Sequence, residues 1–253
     1  MITEKDILAD MHTHTTFSKH AFSSIKENIN AARERKLKYI AITDHYYGNG
    51  DEIEKKNEVN RIQYLGLRIN HTESGITVIG SAEFNLGQEV YTPEKLKDLV
   101  WRPIGLHSWF VDRDKLTIDD VYNLFVEAHH NGYNAFHHIE REFHKFNYGS
   151  YTFEECMEGI KRIIDYAYDN DIWLEANESS IFENDGQSAE RLCEWLKYAK
   201  EKGCKIFLGS DAHYCGEVGY FPNLIRVLNE VDYPMELILN CNNELLDKMF
   251  NSK

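Results

Sequence analysis

Short apolar runs alternate along the chain with segments whose apolar residues recur every three to four positions. The runs fall at 7–12, 39–43, 76–80, 103–106, 134–137, 172–176 and 205–209. Each is bounded by polar or turn residues, the pattern of strands buried on both faces of a parallel sheet. Between them, 24–36 places Ile25, Ile29 and Ala32 on one face, with Leu37 just beyond. The stretch 117–131 does the same with Val121, Leu124, Phe125 and Ala128, and 153–168 and 188–202 share the period. Gly203 follows the last of these as a helix stop. Segment 52–70 is more polar and its helical pattern is weaker. About seven strand–helix units in a row imply a parallel sheet with helical crossovers, either an open doubly wound sheet or a closed barrel.

The polar residues separate these two architectures. The first run ends in Asp10-Met11-His12-Thr13-His14 and the second in Thr43-Asp44-His45. The third leads to Glu83, the fourth to His107, the fifth to His137-His138, the sixth to Asn177-Glu178 and the seventh to Asp211-Ala212-His213. A barrel brings all its strand ends to one mouth, whereas the outer strands of an open sheet lie too far apart to share a site. The expected fold is therefore an α/β distorted TIM-like barrel of seven strands, with a metal site at their C-terminal ends. Side chains two apart on a strand point the same way, so His12 pairs with His14 and Asp211 with His213. These residue types suit zinc, manganese or iron, and Glu83 and Asp211 each have two oxygens with which to bridge two ions.

At 253 residues the chain fits one large domain, 1–253. Its formal charge of −14 repels polynucleotide phosphates, which argues against nucleic acid as a partner. It does not oppose a small phosphorylated substrate, because cations in a pocket reverse the local field. The five cysteines are scattered without a Cys-x-x-Cys pair, so free thiols are expected rather than a disulfide framework or thiolate zinc site. No apolar run approaches the ~20 residues of a membrane span, and residues 1–6 do not open a signal peptide. The expected location is cytoplasmic, with no membrane partner.

With its polar residues in this order, the chain resembles the PHP family, the polymerase-and-histidinol-phosphatase metallohydrolases. The motifs are Asp10-x-His12-x-His14-Thr15, His20-Ala21, Thr43-Asp44-His45, Glu83, His107, His138 and Gly209-Ser210-Asp211-Ala212-His213. Together with Glu175-Ala176-Asn177-Glu178-Ser179-Ser180, they are most similar to the compact YcdX-like phosphatase branch. The resemblance implies two to three divalent ions. One takes His12, His14, Glu83 and Asp211; a second shares Glu83 and takes His107 and His138; a third takes His20, His45 and His213. Relatives often carry His-Pro where this chain has His137-His138, and alignment favours His138 as the ligand. His137 then points into the barrel wall or supports a ligand from behind.

The implied activity is hydrolysis of a small phosphomonoester through a metal-bridging hydroxide, with His12, His14, Glu83, Asp211 and His213 as the catalytic set. Asp10 and Asp44 are candidates to orient imidazoles. Arg141 and Asn177 are the candidate substrate contacts, with His144, Lys145 and Lys19 as weaker ones. His71, His129 and His130 are expected on helices or loops away from the site. Alternatives are a PHP-type nuclease or phosphodiesterase and a histidinol phosphatase. An amidohydrolase fits poorly, since that family needs a bridging lysine on a middle strand. A metal-binding module without turnover is opposed by the complete ligand set.

Overall fold

The computed structural model describes residues 1–46, 71–73, 75–87, 99–107, 116–141, 151–182 and 188–251. The segment 52–70, and with it His144 and Lys145, lies outside the described residues. All seven expected strands form: β1 (Ala9–Thr13), β2 (Tyr39–Ile42), β4 (Ile76–Gly80), β6 (Pro103–Gly105), β7 (Ala135–Phe136), β8 (Trp173–Asn177) and β9 (Ile206–Gly209). Two short ones join them, β3 (His71–Glu73) and β5 (Phe84–Asn85). His71, expected on a helix or loop, instead opens β3, which runs antiparallel to β4 with His71 opposite Val78. The four expected helices are α1 (Ile25–Glu34), α2 (Ile118–His130), α3 (Phe153–Asp169) and α4 (Ser188–Lys202). The first three start at capping boxes on Ser24, Thr117 and Thr152, each with an acidic partner three residues on. Among the described residues, two further helices follow, α5 (Pro222–Glu230) and α6 (Asn243–Phe250). No helix among these is long and apolar enough to cross a membrane.

The strands form two sheets, ordered β1-β2-β4-β3 and β5-β6-β7-β8-β9, parallel throughout except for β3. The expected barrel is not closed by continuous ladders. The sheets meet instead through isolated bridges, Thr13 with Ala212 on one side and His45 with Glu83 on the other. Asn240 reinforces the first junction. Its amide nitrogen donates to Ala9 O and Leu208 O, both at 2.9 Å, and its Oδ1 accepts from Leu208 N at 2.7 Å.

Alternation along the strands sorts the apolar side chains into two cores. Ile40, Ile42, Ile104, Phe136, Leu174 and Leu208 pack outward against the helices. Met11, Tyr39, Ala41, Trp101, Trp173 and Phe207 form a second, inner cluster, which Leu246 and Phe250 of α6 join. The buried histidines and carboxylates sit among the strand ends beyond this apolar cluster, where burial makes every charge count.

Candidate metal centre

Backbone irregularities aim several of the key side chains. In the β1–β2 pair the register shifts between Asp10 and Thr13, so Met11 and His12 share a place in the ladder. Such a bulge re-aims side chains, and here Met11 enters the apolar core while the adjacent His12 joins the polar cluster. His138 has φ 24° and Asp211 φ 56°, left-handed conformations that an L side chain adopts only under constraint. Two glycines make the necessary room. A Cβ on Gly209 would lie 2.0 Å from Glu175 Oε1 and 2.6 Å from His12 Cβ, and one on Gly105 would lie 2.9 Å from His138 Cε1.

The nine expected ligands converge. Glu83 is the hub: its Oε1 lies 3.5 Å from His12 Nε2, 3.4 Å from His107 Nε2 and 2.9 Å from His138 Nε2. Its Oε2 lies 3.5 Å from His14 Nε2 and 2.8 Å from His45 Nδ1. Asp211 Oδ1 is 3.1 Å from His14 Nε2 and 3.5 Å from His12 Nε2. Toward solvent, His20 Nε2 is 2.8 Å from His213 Nε2 and 3.3 Å from His45 Nε2. His45 thus joins the outer group to Glu83 rather than belonging to the outer group alone.

His137, expected in the barrel wall or in support of a ligand, lies against two of the expected ligands. Its ring stacks on His12 at 3.9 Å between centroids, and its Nδ1 is 3.0 Å from Glu83 Oε1. The turn at His138 lets two consecutive histidines reach the same carboxylate oxygen.

Hydrogen bonds at the far side of the rings set which nitrogen faces the cluster. His12 Nδ1 is 2.6 Å from Glu175 Oε1, and a carboxylate only accepts, so Nδ1 carries a proton. Ser18 donates to Asp44 Oδ1 at 2.7 Å, so its oxygen accepts from His14 Nδ1 at 2.9 Å. His213 Nδ1 donates to the Asp211 carbonyl at 2.9 Å. All three therefore turn Nε2 inward, and the Nε2 atoms of His12 and His14 face each other at 2.9 Å. Without metal, a proton on His12 Nε2 bridges the pair as a hydrogen bond to His14 Nε2, and a divalent cation would take that proton's place.

The charge balance points the same way. Burial works against ionised Glu83, but His107, His12 and His45 outweigh it and hold the carboxyl well below its usual range. Asp211 is likewise held low, by His12, His14 and Arg141 against burial. Glu175 is pulled down to about 2 by His12 and His137 despite burial. Burial pushes His14 and His107 down, and brings His137 to about 4. For His12, burial is outweighed by Glu175, Glu83 and Asp211, which hold its imidazolium well above the ordinary range. Among the described residues, these three buried carboxylates are faced by two cations, the His12 imidazolium and the Arg141 guanidinium beside Asp211, which leaves one negative charge over. Uncompensated buried charge is costly, and divalent cations offset it. Ionised carboxylates with neutral His14 and His107 match the protonation state that ligation requires, and His12 would release its extra proton on binding metal. Among the described residues Glu83 Oε2 is buried without a hydrogen-bond partner, as expected of a ligand atom. The donor set fits zinc, manganese or iron.

Of the two expected orienting carboxylates, Asp44 acts on His14 through Ser18. Asp10 does something else. It accepts from the backbone N–H groups of His12, Ser210 and Gly219, tying β1 to the segment after β9. The carboxylate on the His12 ring is Glu175, which also accepts from His138 N at 2.8 Å. A glutamate in the middle of an apolar run was the signal for it. The substrate candidate Arg141 donates directly to Asp211 and to Ser179, and Asn177 adjoins Asp211 through Ser179. Lys19 is exposed beside His20, and His129 and His130 lie on α2, as expected.

A family model described as the PHP domain matches residues 10–252. The chain belongs to the PHP family. Two relatives that carry the name "probable phosphatase" align over nearly the whole chain. One, from Caldanaerobacter subterraneus subsp. tengcongensis, is 30% identical, covering 92% of this chain and 87% of its own length. The other, from Acetivibrio thermocellus, is 26% identical over 97% of this chain and 96% of its own. The PHP fold is also that of the histidinol phosphate phosphatase of Lactococcus lactis, whose crystal structure is described as a complex with zinc, L-histidinol and phosphate. That structure superposes with a TM-score of 0.60 and 17% identity, over 89% of this chain and 94% of the other.

Proposed function

We propose that this PHP protein is a metal-dependent phosphoesterase acting on a small phosphomonoester. The observation that carries the reading is the convergence of the nine ligands on Glu83 and Asp211, with inward-facing imidazole nitrogens and excess buried negative charge. We read the site as holding two to three divalent ions, zinc, manganese or iron. His12, His14, Glu83 and Asp211 hold the first; Glu83, His107 and His138 the second; His20, His45 and His213 the third. His137 is close enough to Glu83 to join the second set. We read the two sheets as one distorted seven-strand barrel in a single domain spanning 1–253, working in the cytoplasm.

Phosphoester hydrolysis is slow without a catalyst and needs both a nucleophile and charge neutralisation. Bound divalent ions supply the Lewis acidity and lower the pKa of water toward about 7. The protein's part is to hold the geometry. Glu175, Ser18 and the Asp211 carbonyl keep Nδ1 of His12, His14 and His213 protonated, so each presents a basic Nε2 inward. Arg141, at the rim beside Asp211, is placed to pair with a phosphoryl oxygen. The two relatives named as probable phosphatases support the reaction class.

Phosphate release from a panel of sugar phosphates, nucleotides, phosphotyrosine and histidinol phosphate, with oligonucleotides alongside, tests the reading. Wild-type protein is expected to release phosphate from monoesters and to leave oligonucleotides intact. The His12→Ala, Asp211→Ala double variant is expected to release none. Full activity in the double variant would end the proposal.

A further inference from the structure

Asp211 does not use its two oxygens alike. Oδ1 faces His12 and His14, while Oδ2 accepts from Arg141 Nη1 at 3.0 Å and from Ser179 Oγ at 2.7 Å. Ser179 also accepts from Arg141 Nη2 at 2.6 Å, so hydroxyl, guanidinium and carboxylate close a ring of three hydrogen bonds. A hydroxyl has one proton. The Asp211 oxygen is nearer than Asn177 Oδ1, at 3.0 Å, and is charged, so it takes that proton. Asn177 Oδ1 keeps the backbone N–H of Ser180 at 3.0 Å, which fixes the amide's orientation and leaves Asn177 Nδ2 buried without a hydrogen bond among the described residues. By residue type alone, Asp211 has two oxygens with which to bridge two ions. With Oδ2 committed to two donors, it offers the cluster one oxygen, and Glu83 alone of the two is placed to bridge.

We propose that Ser179 is a positioning residue that fixes Asp211 as a one-oxygen ligand and holds the Arg141 guanidinium at the mouth of the site. This rests on the metal-site reading above. Without the hydroxyl, Oδ2 keeps one donor and the carboxylate gains freedom to rotate. Arg141 Nη2 loses its acceptor at the same time, so both the ion grip and the phosphate grip loosen.

The test uses full-length wild-type, Ser179→Ala and Ser179→Thr proteins, stripped of metal and titrated with zinc against a chromophoric chelator. Removing a partner behind a ligand weakens metal affinity by about 10- to 100-fold, and Ser179→Ala is expected to show that loss at the tightest site. Its KM for p-nitrophenyl phosphate should rise more than its kcat falls, because Arg141 binds rather than reacts. Ser179→Thr keeps the hydroxyl and should restore both. A folded Ser179→Ala protein, checked by circular dichroism, that binds zinc as tightly as wild type would overturn the assignment. Wild-type protein that binds no zinc would remove the metal-site reading itself, and this inference with it.

Discussion

His137 shows how much one side chain's surroundings decide. Burial and the neighbouring His12 hold it down at about 4, whereas in an unfolded chain histidine titrates near 6.5. Below pH 6.5 the unfolded metal-free protein therefore binds a proton that the folded protein refuses. This contribution to stability is complete above pH 6.5 and is lost as pH falls toward 4, on the order of 3 kcal/mol in all. His12 has the opposite sign: its raised pKa gives stability that is full below 6.5 and fades as pH rises through the folded value. Metal-free wild type and His137→Asn should be unfolded in urea at pH 7 and pH 4.5. The variant should lose less stability on acidification; equal losses would contradict the account. At this scale the sequence was readable for the ligands and less so for their supports. His12, Glu83 and Asp211 stand at strand ends where residue type speaks directly. His137 does not, because its aim depends on the backbone turn at His138, where φ is 24°, and alternation along a strand predicts the reverse.

Among the elements, strands and amphipathic helices were legible because a buried parallel strand and a helix lying on a sheet write different periods into the chain. The expected helix 188–202 and the observed α4 coincide, and 117–131 differs from α2 only at its capping residues. The signal for α5 was also present, in Pro222 at its first turn and Leu224, Val227 and Leu228 on one face. What periodicity does not carry is local room. Gly209 reads as an ordinary strand end, yet it is where β9 lets Glu175 and His12 meet. Gly209→Ala would put a methyl 2.0 Å from Glu175 Oε1, so the carboxylate must leave the imidazole. Overpacking of this kind costs about 1–3 kcal/mol, and zinc affinity should fall together with thermal stability. An alanine variant with unchanged Tm and unchanged zinc binding would show that the close approach does not matter.

At the scale of the whole molecule, the outline was legible because seven strands each ended in a metal-ligating residue type, which an open sheet does not explain. Closure into one barrel by continuous ladders was expected and is not seen among the described residues. The junctions between the sheets are isolated bridges at Thr13–Ala212 and His45–Glu83, made by residues that also belong to or adjoin the site. Expected ligands therefore sit on both sides of each seam, so ions held across the seams would tie the two sheets together. Metal should then stabilise the fold as well as activate it, by about 4 kcal/mol when free zinc is a thousandfold above its dissociation constant. The central claim, that the nine-residue cluster is a metal centre that hydrolyses phosphomonoesters, is tested most directly by phosphate release before chelation, after chelation and after restoring zinc or manganese. The account predicts activity, then its loss, then its return with two to three ions bound per chain. Undiminished phosphate release from protein shown to be free of metal would contradict it.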